Sequence, residues 1–302
     1  MNYGKTISNI RKHKHISIEQ VTHETITKSS YTRFVEGKTQ PSVNNFVKIL
    51  ENLHVNFEEF LYINRGFKPD YFNEMGDEIR KATLQMNVKK LQEIHDTFAV
   101  YHQQKPSQEI YHHFECITQL ILNFVQHEPF DEAAKQVILD YLLKCDIWTH
   151  YEHNMFNSVI FIFSVDAVKA MESRIIKNLD NYQLMHAFGN ESFRTLIVML
   201  AYYIRHHDLL AAIKVISKLS SIELQPNMIF EKTLYKFYSG VVFILSKQEN
   251  GYDNIKTALE TMKLTEAHEY LYAMVLSLER LFDTYDFESK QLREIIAEYK
   301  VN

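Results

Sequence analysis

The chain has 302 residues, 46% hydrophobic and 24% charged, a balance that fits a folded globular protein and excludes disorder as its dominant state. Only seven glycines and five prolines are present, too few for the turns of a sandwich, a barrel or a dinucleotide-binding sheet, so an all-α fold is expected. The formal net charge of −5 hides a polarity: residues 1–66 carry nine basic and six acidic side chains, the remainder 24 and 32.

A basic head on an acidic body suits a DNA-binding domain joined to one that does not bind DNA; chance clustering is the alternative. Cys116 and Cys145 are the two cysteines, which excludes a disulfide framework and a cysteine-based zinc site. The start of the chain holds no apolar stretch long enough for a signal peptide. The longest apolar runs, such as Leu196 to Ile204, are about half of a membrane span. A cytoplasmic protein with no membrane partner is expected.

In chain order, the first 66 residues read as five short helices. Ile7 and Ile10 share a face of a helix over about 3–13. Ser17, with Gln20 three positions on, has capping-box spacing and opens a second helix reaching about Glu24. Thr27 opens a third over Lys28 to Val35, which Gly37 ends. Ser42 opens a fourth carrying Val43, Phe46, Val47, Leu50 and Leu53, and Asn56 a fifth over Phe57 to Ile63. The link between the second and third helices, about three residues, has helix-turn-helix proportions. In that motif the N-terminal residues of the third helix meet base edges; here they are Thr27, Lys28, Ser29, Ser30 and Thr32. Arg11, Lys12 and Lys14 end the first helix, where they could neutralise phosphates. Two readings of Arg33 stand: a phosphate contact, or an internal pair with an acid such as Glu36.

These residues resemble a known group. Gly4-Lys5-Thr6-Ile7, Ile10-Arg11-Lys12, Ile16-Ser17 and the run Thr27 to Gly37 are similar to the XRE-type helix-turn-helix, most closely the version in the Rgg/GadR/MutR regulators of Gram-positive bacteria. Two positions depart from that pattern: Ser30 stands where the family usually has Gln, and Val35 where it has Glu. The first departure removes a side chain that commonly reads a base, so operator sequence does not carry over. The second removes an internal polar contact.

Gly66 and Pro69 mark a boundary, and residues 67–302 read as a helical repeat. First helices are expected near residues 69, 107, 149, 187, 226 and 265, and second helices near 88, 131, 166, 208, 252 and 286. A period of about 38 to 42 residues is that of stacked helix pairs. Asp131, Asp166, Asp208, Asp253 and Asp286 stand at second-helix starts, as caps that meet the positive end of the dipole. The last helix, Phe287 to Tyr299, is expected to cap the stack or serve a dimer. The resemblance extends here through Trp148, Tyr151-Glu152 and Phe156-Asn157, the run Thr195 to Ile222, and Phe230-Glu231-Lys232 through Tyr238-Ser239-Gly240 to Ala258. It implies a tetratricopeptide-like domain that binds a short signalling peptide, and a homodimer that sets two helix-turn-helix heads on double-stranded promoter DNA.

In a stacked-pair superhelix the first helices line the concave face. Polar and aromatic positions at helical spacing there are Cys116, Gln119 and Asn123; His150, Asn154, Asn157, Phe161 and Ser164; Glu191, Arg194, Val198, Tyr202 and Arg205; and Glu231, Tyr235 and Ser239. Of these, Asn123, Asn154, Asn157, Arg194, Tyr202 and Tyr235 are the candidate peptide contacts. An asparagine can clamp a peptide backbone and an arginine a carboxylate; the alternative is an ordinary wetted groove. Fifteen histidines are present, but His112-His113 and His206-His207 are neighbours that point to different helix faces. His150 and His153 share a face without a third ligand, so no metal site and no cofactor is expected. Nucleotide-binding and hydrolase motifs are absent from the sequence. The reading is a peptide-controlled transcriptional regulator rather than an enzyme. A peptide-independent regulator of the same fold, or a helical-repeat module whose head contacts protein, are the rivals.

Overall fold

The computed structural model describes residues 2–182, 189–285 and 288–300, and the side chains of these except 177–182 and 189–192. Among the described residues there are seventeen α-helices and no strand. They fall into two compact units, Met1–Ile79 and Arg80–Asn302.

The first unit begins with α1 (Tyr3–His13), α2 (Ile18–Val21), α3 (Lys28–Val35), α4 (Val43–Asn52) and α5 (Phe57–Asn64). Each start is set by one side chain. Asn2, Ser17, Thr27, Ser42 and Asn56 accept from the amides of Lys5, Gln20, Ser30, Asn45 and Glu59, each three residues on. A cap of this kind stabilises a helix by about 1 kcal/mol, which matters for helices too short to hold themselves in water. Ser17 and Gln20 complete the capping box reciprocally. Gly37, at φ +78°, ends α3 in the left-handed conformation that suits glycine.

The α2 helix is shorter than the expected reach to about Glu24. It stops at Val21, and Glu24 itself takes a positive φ of 52° that no helix continues through. The connection to α3 is therefore residues 22–27. A single apolar core ties the unit together, with Ile7, Val21, Phe34, Ile49, Leu53 and Phe60 fully buried. Phe46 is its hub, with Tyr3, Phe34, Phe57 and Phe60 ring centroids within 5.1 to 6.3 Å. Val43 and Val47, expected to share the apolar face of α4, are 77% and 41% exposed. The face holding Phe46, Ile49, Leu50 and Leu53 takes the core instead.

Helix α6 (Tyr71–Leu84) contains the division between the units. The second unit continues with α7 (Val88–Gln104), α8 (Glu109–Gln126), α9 (Glu132–Lys144), α10 (His150–Val159), α11 (Val165–Tyr182) and α12 (Gly189–Arg205). It ends with α13 (Leu209–Ser220), α14 (Ile229–Leu245), α15 (Asn250–Leu264), α16 (His268–Tyr285) and α17 (Lys290–Tyr299). Helices α8, α10, α12 and α14 pack on one another in succession and form an inner layer; α9, α13 and α15 pack on α8, α12 and α14, while α11 packs on α12 and α9. Asp131 and Asp208 cap as expected, accepting from the amides of Ala134 and Ala211. At the third pair Ser164 is the cap, accepting from Ala167, and Asp166 lies inside the first turn. Asp253 lies inside the first turn of α15, which begins at Asn250. The expected start near 187, Asp286 and Phe287 lie outside the described residues.

Two local devices hold the stack. Thr149 and Glu152 form a capping box at α10, and Glu152 also accepts from the Tyr141 hydroxyl at 2.6 Å. Beside it Trp148 is fully buried, its indole N–H donating to the Leu142 carbonyl. Burial, reinforced by the Glu152 charge, pushes the Tyr141 phenol well above its ordinary range. The tightest helix contact is α14 on α15. A side chain at Gly240 would meet the Gly251 carbonyl oxygen at 2.7 Å, and one at Gly251 the Gly240 oxygen at 2.5 Å. Only two glycines let these backbones approach so closely. Helix α17 buries Leu292, Ile295, Ile296 and Tyr299, with Tyr299 donating to Glu260 of α15 and Lys300 to Glu279 of α16. It caps the stack within the chain.

Candidate functional site

The start of α3 is polar and open. Thr27, Lys28, Ser29, Ser30, Thr32 and Arg33 are all exposed. Thr27 caps the helix and donates to Ser30 Oγ, and Thr32 donates back to the Lys28 carbonyl. Lys28 Nζ lies 3.0 Å from Glu19 of α2, which fixes α2 against the start of α3 and partly neutralises the cation. Ser29 is left free among the described residues. So is Arg33, because Glu36 pairs with Lys38 at 2.7 Å.

At the end of α1 the three basic side chains diverge. Lys12 is exposed. Arg11 Nη1 donates to the Ile16 carbonyl at 2.8 Å, and Lys14 Nζ donates to the carbonyls of Leu53 and His54, closing the C-terminal end of α4. Arg11 and Lys14 therefore build the head. Of its candidate DNA-contacting residues, Lys12, Ser29 and Arg33 keep their side chains free among the described residues.

In the second unit the sequence-derived groove residues separate by depth. Asn154 is exposed and bonds His150 on its own helix at 3.0 Å. Asn157 of α10 donates to Thr195 of α12 at 3.0 Å, and its carbonyl oxygen is buried without a partner among the described residues. Arg194 of α12 grips Glu231 of α14 through Nε and Nη2 at 3.1 and 2.8 Å and lies 5.8 Å over the Phe230 ring. Tyr235 of α14 meets Phe193 of α12 edge-on. Asn123 is buried and accepts from the Asp131 amide. Tyr202 is 4% exposed and its hydroxyl donates to the Phe163 carbonyl at 2.7 Å. Asn123 Oδ1 and the Tyr202 hydroxyl are thus used within the stack. The side chain of Glu191 lies outside the described residues.

Asn157 and Arg194 bond, and Tyr235 packs, from one first helix to the next, along the N-terminal parts of α12 and α14. Farther along the same helices a cavity of about 550 Å³ opens between α12, α14 and α16. Its wall repeats at helical spacing: Ala201, Ile204 and Arg205; Phe237, Tyr238 and Val241; Ser277, Arg280, Leu281 and Thr284. Ile204, Phe237, Val241 and Leu281 are buried and give it an apolar floor. Arg205, Arg280 and Asp283 stand exposed at its edge, and neither arginine has a charged partner among the described residues. Burial pushes the Tyr238 phenol up to about 12, with Arg205 acting in the opposite direction. Tyr238 is thus a neutral hydroxyl at physiological pH, able to donate and accept.

Sequence reading reached Arg205 but missed Tyr238, Ser277, Arg280 and Asp283. A search of the α16 face at three- and four-residue spacing would have found Ser277 and Arg280. That they face α12 and α14 is a tertiary fact. The site joins apolar shelter for side chains to cations for carboxylates.

Two known families match the sequence. The C-terminal domain of the HTH-type transcriptional regulator Rgg matches residues 97–274, and the helix-turn-helix family matches residues 7–60. Among solved structures the chain is similar to a protein of Listeria monocytogenes EGD-e described as a candidate transcriptional regulator. Identity is 22%, coverage 95% of this chain and 99% of that one, and TM-score 0.81. It is also similar to the SHP pheromone receptor Rgg2 of Streptococcus dysgalactiae, at 18% identity, 92% and 99% coverage and TM-score 0.75. A third similar structure is PrgX in complex with iCF10, at 16% identity, 99% and 94% coverage and TM-score 0.74. Identities this low carry the fold. Among the described residues no helix is long and apolar enough to cross a membrane.

Proposed function

The chain belongs to the Rgg family of HTH-type transcriptional regulators, and from that premise we propose that a short peptide, bound in the cavity between α12, α14 and α16, controls its hold on promoter DNA. The observation that carries the reading is the cavity itself: an apolar floor on the inner layer, edged by Arg205 and Arg280. Apolar side chains of a peptide fill the floor, and the arginines take its terminal or side-chain carboxylate. One structural relative is named as a pheromone receptor and another was solved with its peptide, which supports the same class of ligand here.

The head binds double-stranded DNA through the start of α3, with Thr27, Lys28, Ser29, Ser30, Thr32 and Arg33 facing the major groove and Lys12 on phosphate. The protein acts as a homodimer in the cytoplasm, by binding and without catalysis. Control follows if the peptide prefers one arrangement of the protein, since a ligand shifts an equilibrium only by its difference in affinity for the two states.

The test is a gel-shift titration on a DNA fragment that the purified protein selects from its own genome, with and without a synthetic apolar peptide that raises its melting temperature. The proposal expects affinity for that fragment to change at least several-fold with peptide. Identical titrations with every stabilising peptide would leave a DNA-binding regulator without peptide control.

A further inference from the structure

Outside the groove, three metal-ligating side chains from two successive helices come together. His102 lies near the end of α7, and His112 and Glu115 lie three residues apart in the first turns of α8. One nitrogen from each histidine and one oxygen of Glu115 all lie within 4.8 Å of one another. The imidazoles stack at 4.2 Å, and His102 Nδ1 is 2.6 Å from Glu115 Oε2.

We propose that His102, His112 and Glu115 form a binding site for one divalent transition-metal ion, with Zn2+ the best fit. Two imidazoles and a carboxylate are a common zinc donor set, and three protein ligands leave a position for water. His112 and Glu115, at i and i+3, project from one helix face, and His102 answers from the facing helix. Carboxylate-and-histidine metal sites of helical bundles use the same i, i+3 arrangement. Tetrahedral zinc with bonds near 2.1 Å sets its ligand atoms about 3.4 Å apart, so the His102 and Glu115 atoms, 2.6 Å apart, open by roughly 0.8 Å and the more distant side chains, within 4.8 Å, close by up to roughly 1.4 Å. They have room to do so: the His102 and Glu115 side chains are 30% and 26% exposed, which also gives an ion a way in. Lys105, the basic residue next along the chain, is drawn off over the Tyr111 ring at 5.5 Å.

Chemically, three coordinate bonds form and the His102–Glu115 hydrogen bond breaks. A neutral imidazole offers one lone pair, so His102 binds the ion through the nitrogen that carries no hydrogen, its ring hydrogen staying on the other. The ion would staple α7 to α8, which are otherwise joined by the loop at 105–108 and by packing.

The experiment uses the full chain, stripped with chelator and titrated with ZnCl2 alone by calorimetry. The expected result is one tight ion per chain, and at least tenfold weaker binding in both His112→Asn and Glu115→Gln. Cobalt substitution supplies a second readout, the visible absorption bands of a four- or five-coordinate centre, lost in the same variants. Circular dichroism confirms that the variants fold. Binding of equal strength in wild type and both variants would place the ion on other histidines and overturn the assignment, as would no binding above the micromolar range.

Discussion

The hydroxyl of Tyr285 donates to the main-chain carbonyl of Ile204 at 2.6 Å, joining the end of α16 to the end of α12 across 81 positions of sequence. The bond takes the second lone pair of a carbonyl that also accepts from the His207 amide at 3.2 Å, and lies at the same end of the two helices as Arg205. The His207 ring packs on Tyr285 at 4.7 Å and completes the joint. Tyr285→Phe keeps the ring and removes the bond. The expected cost is about 1 kcal/mol of stability, read as a lower urea midpoint at unchanged slope. Peptide affinity is expected to fall with it, because two walls of the cavity lose a fixed point.

Arg194 is expected to matter more for stability than for ligand. Glu231 is 3% exposed and relies on the Arg194 guanidinium, which is itself half exposed. Arg194→Ala leaves a buried carboxylate without its partner, at a cost of about 1–3 kcal/mol. Adding Glu231→Gln should recover most of that loss in chemical denaturation. A single variant as stable as wild type would show that the pair contributes nothing.

Stability should weaken in mild acid through His153. This histidine is 2% exposed, and burial holds its value down to about 4, against about 6.5 in an unfolded chain. His113 is lowered by burial in the same direction. As pH falls through the window from 6.5 to 4, the unfolded state takes the proton first, so stability is full above the window and is lost on descent through it. From pH 7 to pH 5 the His153 contribution is about 2 kcal/mol. Urea midpoints at the two pH values measure the drop, and His153→Gln should shrink it.

At the head, Ser29→Ala and Arg33→Ala should each weaken binding to a specific DNA fragment, Ser29 by about 1 kcal/mol through a lost base-edge contact. Lys28 is the instructive case, because it is already paired with Glu19. Lys28→Ala should weaken binding, while Glu19→Gln should strengthen it by freeing the cation and steepen the salt dependence. Arg11→Ala should lower stability instead, since its guanidinium is committed to the Ile16 carbonyl. Gel shifts at two salt concentrations separate these outcomes.

The helices were legible in the sequence wherever one side chain decides a boundary. Ser17, Thr27, Ser42, Asn56, Asp131 and Asp208 cap where the residue types predict. Boundaries slipped where the deciding fact is a backbone angle, as at Glu24, or where a second capper stands two residues away, as Ser164 does before Asp166. The candidate site was less legible because polarity alone does not say whether a groove residue faces a ligand or a neighbouring helix. Asn157 and Arg194 have the residue types of a receptor and bond to Thr195 and Glu231. Tyr202 lies on the polar stripe by spacing, yet its hydroxyl turns back to Phe163. The arginine that completes the cavity edge, Arg280, comes from α16, and that it shares a cavity with Arg205 of α12 is a tertiary fact.

The central claim is that a short peptide occupies the cavity edged by Arg205 and Arg280. Its most direct test is a thermal-shift screen of the full chain against a library of short apolar peptides with free C-terminal carboxylates, run in parallel on wild type and the Arg205→Ala/Arg280→Ala double variant. A ligand at about one hundred times its Kd stabilises the folded state by about 2.7 kcal/mol, a rise of a few degrees for a chain of this size. The account predicts at least one peptide that gives that rise in wild type and loses most of it in the double variant, while the variant's own melting temperature and DNA binding stay close to wild type. Equal shifts in both proteins would put the peptide elsewhere, and no shift with any peptide would contradict peptide control.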